Sequence, residues 1–124
     1  MAKYTPYYAK VTIAQGGTTS EDFEFDIGTK TLALHIPILE AATTVALQAN
    51  RPKEQENEAD VWTTITVFDL TDGTFEALDG MGGAAAALVV IPVSATGPGP
   101  LRFLASGAQA SAARDIRVGF GRDG

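Results

Sequence analysis

Four groups of residues in this 124-residue chain have types and spacings that could do chemistry. Asp69-x-x-Asp72-Gly73 offers the hard oxygen ligands that calcium takes. Its spacing misses the calcium-loop pattern and no distal Glu follows, so a turn in which Asp accepts backbone hydrogen bonds is favoured. Asp22, Glu24 and Asp26 share one face of an alternating stretch, and paired carboxylates in a cleft can hydrolyse glycosides. Three like charges in a row are more simply the wet side of a sheet. His35, the single histidine, leaves a histidine-based triad one candidate. Set between Leu34 and Ile36, on the face of Ala33, it reads as an ordinary packed or exposed strand residue. Trp62 with Tyr4, Tyr7 and Tyr8 could make a flat stacking platform for sugars, and a core Trp with a tyrosine-bearing arm explains the same residues.

Other chemistry finds no foothold. The chain has no nucleophile elbow, Walker loop, dinucleotide fingerprint or Cys/His ligand set. Gly80 to Gly83 lacks the Lys and Ser/Thr that would cradle a phosphate. The expectation is therefore a protein with no catalytic residue, no cofactor and no metal. There is no cysteine, so disulfides are excluded. No apolar run approaches the roughly 20 residues of a membrane helix, and Met1-Ala2-Lys3-Tyr4 lacks the apolar core of a signal peptide. The chain is expected to be used without export by a cleaved signal and without a membrane partner. Net charge is −6, unevenly spread: residues 51–80 hold two bases and eight acids, whereas residues 81–124 hold four Arg and two acids. That pattern argues against binding nucleic acid over a broad surface. It suits either a solvated acidic loop or subunits that meet through opposite charges.

The elements that must position these residues are strands. Val61 to Leu78 organises the rest: β-branched and aromatic residues from Val61 to Phe68 suit a pleated surface, and Asp72-Gly73 turns the chain into Thr74 to Leu78. This reading puts both strands in the middle of a sheet, with the apolar faces near Trp62 and Phe75 in the core. Tyr7 to Ile13 alternates Tyr7, Ala9, Val11 and Ile13 against Tyr8, Lys10 and Thr12. Phe23, Phe25 and Ile27 alternate with Asp22, Glu24 and Asp26, the cleanest period of two in the chain. Leu32 to Ile36 is a strand stopped by Pro37, and Thr43 to Ala49 is another. Arg51 to Asp60 is polar, lacks a large apolar anchor and reads as a long exposed loop. Gly80 to Gly83 reads as a flexible connection, and the four alanines after it cannot nucleate a helix. Leu88 to Ile91 reads as a fully buried strand. Thr96 to Pro100 reads as a stiff crossing segment, followed by strands at Leu101–Ser106 and Ile116–Phe120. Eight or nine short strands with no convincing helix predict an all-β, antiparallel β-sandwich, jelly-roll-like in its wrapping. One domain is expected over residues 8–121, with an N-terminal arm at 1–7 and a tail at 122–124.

Several short motifs, taken in order, resemble a group of small virion proteins of tailed phages. They are Thr44-Val45-Ala46-Leu47-Gln48, the strand opened by Trp62, Leu101-Arg102-Phe103-Leu104-Ala105-Ser106-Gly107, and Gln109-x-x-x-x-Arg114-Asp115-Ile116-Arg117-Val118. The likeness spans roughly residues 20–120 and omits the acidic window 51–60 and the Gly/Ala segment 80–87. It implies a jelly-roll capsid decoration or cement protein, a homotrimer bound to the major capsid protein on the outside of the virion and assembled in the host cytoplasm. On that reading the arm residues Lys3, Tyr4, Pro6, Tyr7 and Tyr8 contact the capsid. A carbohydrate-binding or other accessory module of a phage tail or fibre is the alternative.

Overall fold

Alternating apolar and polar residues, broken by Gly and Pro, give nine β-strands in the computed structural model of the chain: β1 (Tyr8–Ile13), β2 (Thr31–Ile36), β3 (Val45–Asn50), β4 (Trp62–Thr64), β5 (Thr66–Asp69), β6 (Thr74–Ala77), β7 (Ala87–Pro92), β8 (Leu101–Ala105) and β9 (Arg114–Gly121). The structure describes residues 8–25, 28–69, 71, 73–93 and 100–121, with the backbone alone at 68–69. The expected arm at 1–7, tail at 122–124 and most of the crossing segment at 96–100 lie outside the described residues. No α-helix occurs among the described residues. The strands form a four-stranded sheet in the order β1-β9-β2-β7, a three-stranded sheet β4-β3-β8, and a two-stranded hairpin β5-β6. Every pairing is antiparallel.

The pairings are nested along the chain. β1 pairs with β9, the segment 18–23 runs beside β8, β2 pairs with β7, and β3 pairs with β4. The segment beside β8 is held by bridges at Thr19–Leu104 and Phe23–Leu101 and by Ser20 N–H donating to the Phe103 carbonyl at 3.0 Å. A long hairpin of this kind, rolled so that successive pairs alternate between two layers, is the jelly-roll-like antiparallel β-sandwich that the strand count predicted. The β5–β6 hairpin is inserted between β4 and β7.

Between the layers lies the core. Val11, Ile13, Leu32, Leu34, Ile36, Ile116 and Val118 from the four-stranded sheet meet Val45, Leu47, Leu101, Phe103 and Ala105 from the three-stranded one. Phe23 stacks on Phe103 with ring centroids 5.6 Å apart. Along β1, β2, β8 and β9 buried residues alternate with more exposed ones as a half-buried sheet requires, while β3 is buried from Val45 to Gln48. The glycine run after the hairpin is set rather than loose: Gly80, Gly82 and Gly83 all have positive φ, which Gly reaches without steric cost. That path lets Met81 bury its side chain and exchange two backbone hydrogen bonds with Val45, at 2.9 and 3.1 Å.

Four expectations are corrected. Val61 to Phe68 is not one central strand. It breaks at Ile65, which turns inward, donates its N–H to the Leu47 carbonyl at 3.0 Å and accepts from Leu78 N–H at 2.7 Å. Trp62 is half-buried on a sheet edge and Phe75 is 73% exposed, so neither belongs to the core. Phe23 to Ile27 forms no regular strand in the part described, although Phe23 is buried as its alternation implied. Finally, β7 is an edge strand rather than a fully buried one, with Leu88 58% and Val90 60% exposed.

Candidate functional site

Strand register brings together residues that lie far apart in sequence. On the outer face of the four-stranded sheet, Lys10 of β1 stands opposite Arg117 of β9, which stands opposite His35 of β2, which stands opposite Leu88 of β7. All four are exposed. Like charges on directly opposed residues work against a sheet, so this row is not there for the stability of the fold. The adjacent row runs Tyr8, Gly119, Ala33, Val90. Its middle pair has almost no side chain, while Tyr8 (51% exposed) and Val90 stand at its two ends. With strands about 4.8 Å apart, the result is a trough roughly 14 Å across, floored by Gly119 and Ala33. The depression beside Tyr8, His35, Arg117 and Gly119 has a volume of about 550 Å³. A second lies across His35 and Arg117 towards Leu88. Asp115 is the acid on this face, and it accepts a hydrogen bond from Thr12 Oγ1 at 2.7 Å.

The residues behind the resemblance to phage proteins form two polar networks elsewhere. Arg102 Nε donates to Gln48 Oε1 at 2.9 Å, Gln48 Nε2 donates to Thr64 Oγ1 at 3.4 Å, and the Arg102 guanidinium lies 4.5 Å from the Trp62 ring centroid. That geometry is a cation–π contact tying β8, β3 and β4 together. In the second network Gln109, fully buried, is a hub. Its amide Oε1 accepts from Glu40 N–H at 2.8 Å, and its Nε2 donates to Thr43 Oγ1 and to the Gly107 carbonyl, both at 3.0 Å. Its backbone bonds Gly16 and Gly17. Beside it Glu40 accepts from Ser111 N–H (2.8 Å), Ser111 Oγ (2.9 Å) and Arg114 Nη2 (3.2 Å). The Ser111 hydrogen bonds, with Arg114 helping, hold the Glu40 carboxyl below the usual carboxylate range. The residues of these two networks fasten loops and strands and lie away from the trough, whereas Arg117 of the closing motif stands beside it.

The candidates from sequence are scattered. Tyr8 lies at the trough's margin, whereas Lys3, Tyr4, Pro6 and Tyr7 lie outside the described residues. His35 is exposed on the outer face, next to Arg117 rather than to a nucleophile and an acid. Asp22 and Glu24 are exposed on the segment beside β8, and Asp26 lies outside the described residues, as do Asp72 and the Asp69 side chain. Gly73 has the positive φ of a turn residue. Trp62 and Tyr8 belong to different layers, so they do not form one stacking platform. Among the described residues no group of three His, Cys, Asp or Glu is placed to hold a metal ion, and no helix is long and apolar enough to cross a membrane. The acidic window 51–60 is a loop, as read, but a structured one. Lys53 Nζ lies 2.6 Å from Asp60, and Glu58 accepts from the amides of Glu54 and Gln55. Those hydrogen bonds hold Glu58 and Asp60 below the usual carboxylate range.

Fold and surface together define a β-sandwich with one apolar and cationic sheet face. No family model, curated protein or solved structure matches the chain.

Proposed function

We propose that this chain is a structural binding module of a tailed-phage particle. In this reading it is a capsid decoration or cement protein that sits on the outer shell as a homo-oligomer and holds neighbouring capsomers together. One observation carries the reading: the outer face of the four-stranded sheet presents Tyr8, Leu88 and Val90 beside Lys10, His35 and Arg117, in a chain of net charge −6. An exposed apolar patch rimmed by charge is the mark of a surface that other proteins cover. The edge strand β7 adds to it, since no charged residue occurs between Met81 and Leu101 to discourage pairing with another chain. Tyr8, the first described residue, stands on the border of this face, and on this reading the residues before it contact a shell subunit. A sugar-binding module of a tail or fibre is less well supported, because Trp62 and Tyr8 are on separate layers.

Imaging of phage particles that carry the protein tests the reading, with density expected on the symmetry axes of the shell. Removing residues 1–7 should abolish attachment to shells of the major capsid protein and leave thermal unfolding unchanged. Normal attachment by the shortened protein would refute the arm's part, and no attachment by the full chain would refute the function.

A further inference from the structure

The hairpin β5–β6 is the other unusual surface of the molecule. All four residues of β6 are exposed, and Phe75 shows 73% of its surface to solvent. From Thr66 to Asp79 the chain carries Asp69, Asp72, Glu76 and Asp79 and no base. An acidic projection with an exposed aromatic ring is thus the chemical complement of a basic face with an apolar trough. We infer that the β5–β6 hairpin of one copy seats Phe75 in the Tyr8–Gly119–Ala33–Val90 trough of a second copy, so that the chain assembles head to tail. The inference rests on reading the outer face as a protein-binding surface, and it names the partner.

Strand alternation puts Glu76 on the opposite side of β6 from Phe75, so the ring is the anchor. Glu76 and Asp79, both exposed, supply charge across the thickness of the hairpin, on the scale of the roughly 8–10 Å over which charge is felt at ordinary salt, opposite Lys10 and Arg117. Charge of this kind steers the encounter and fixes its orientation, while a buried aromatic supplies the anchoring. The other acidic projection, loop 51–60, fits less well. It lacks a large apolar residue, and Asp60 and Glu58 are already engaged by Lys53 and by the loop's own amides.

Geometry also decides the kind of assembly. The trough belongs to the four-stranded layer. The hairpin grows from the other layer, where Leu47 N–H donates to the Leu78 carbonyl and Ile65 N–H to the Leu47 carbonyl. Donor and acceptor surfaces are therefore different patches, the contact is heterologous, and repetition closes a ring or runs on as a filament.

Sedimentation velocity on the full chain and on Phe75→Ser and Arg117→Glu tests this, with circular dichroism and Trp62 emission showing that each variant is folded. Both changed residues are exposed, so folding should survive. The unaltered chain should self-associate at micromolar to high-micromolar concentrations, and each variant should lose affinity by about 30-fold or more, the scale of an interface anchor. Mixing the two variants should restore a single contact and give a one-to-one dimer, because Phe75→Ser keeps its trough and Arg117→Glu keeps its hairpin. An unaltered chain that stays monomeric, a Phe75→Ser chain that associates normally, or a mixture that stays monomeric would each overturn the inference. Attachment to shells by a monomeric chain would leave the decoration reading standing. Head-to-tail oligomers that ignore shells would reject the decoration reading and keep the inference.

Discussion

Replacing Gln109 by Leu keeps the volume of a fully buried side chain and removes its three hydrogen bonds. The largest loss is at Glu40 N–H, whose acceptor at 2.8 Å disappears; an orphaned donor away from water costs about 1–3 kcal/mol. Thr43 Oγ1 keeps the bond it donates to the Glu40 carbonyl at 2.6 Å and loses only the one it accepts. The Gly107 carbonyl is half-buried and partly recovers water. Those two losses add about 0.5–1.5 kcal/mol each, for a total of about 2–6 kcal/mol. That is a large part of the roughly 5–15 kcal/mol by which domains are stable. Urea unfolding followed by emission of Trp62, the single tryptophan, should show the midpoint falling at unchanged slope. Gln15→Leu, which removes bonds of 3.1 and 3.5 Å from an exposed side chain, should cost less than about 0.5 kcal/mol. A Gln109→Leu protein within about 1 kcal/mol of the unaltered chain would refute the view that this amide organises the loops before β9.

Two further perturbations test the fold itself. Gly82→Ala combines a positive φ with a Cβ that would lie 2.8 Å from Ile36 Cγ2 and 3.1 Å from Leu39 Cδ1, so calorimetry should show a loss of about 2–4 kcal/mol. The depressed carboxyls of Glu40, Glu58 and Asp60 contribute stability that is complete above the ordinary carboxylate range and is lost as pH falls through and below it. Thermal midpoints should therefore decline on the acid side. Glu40→Gln should start lower at neutral pH and decline less steeply, and a slope equal to that of the unaltered protein would sink the assignment.

How far the sequence reaches depends on what alternation can encode. Strands β1, β2, β8 and β9 are legible because one face of each is buried and the other more exposed; Val11 and Ile13 against Lys10 and Thr12 is such a pattern. Leu88 to Ile91 is apolar throughout, so its period says nothing about which residues face out, and an edge strand reads like a buried one. The break at Ile65 was hidden because Ile and Thr suit either side of a bend. Outward placement of Tyr8, Lys10 and His35 was also readable, and so was that of Arg117 between Ile116 and Val118. What alternation does not carry is which strands are neighbours. Lys10, Arg117 and His35 become one row only through pairing of β1, β9 and β2, set by the nested wrapping. The quoted motifs, in turn, speak to architecture: Gln48, Arg102, Gln109 and Arg114 all fasten elements to one another.

Pairing of the first strand with the last places Tyr8 opposite Gly119. A short bridge from residue 121 to residue 8, with new ends opened in the 51–60 loop, would yield a circular permutant starting at β4 and finishing at β3. It would retain every strand pair while swapping which pair is covalently joined. The same adjacency governs cargo display: a passenger fused before β1 or after β9 emerges at one corner of the sheet, beside the trough, where a bulky passenger would crowd out an incoming neighbour.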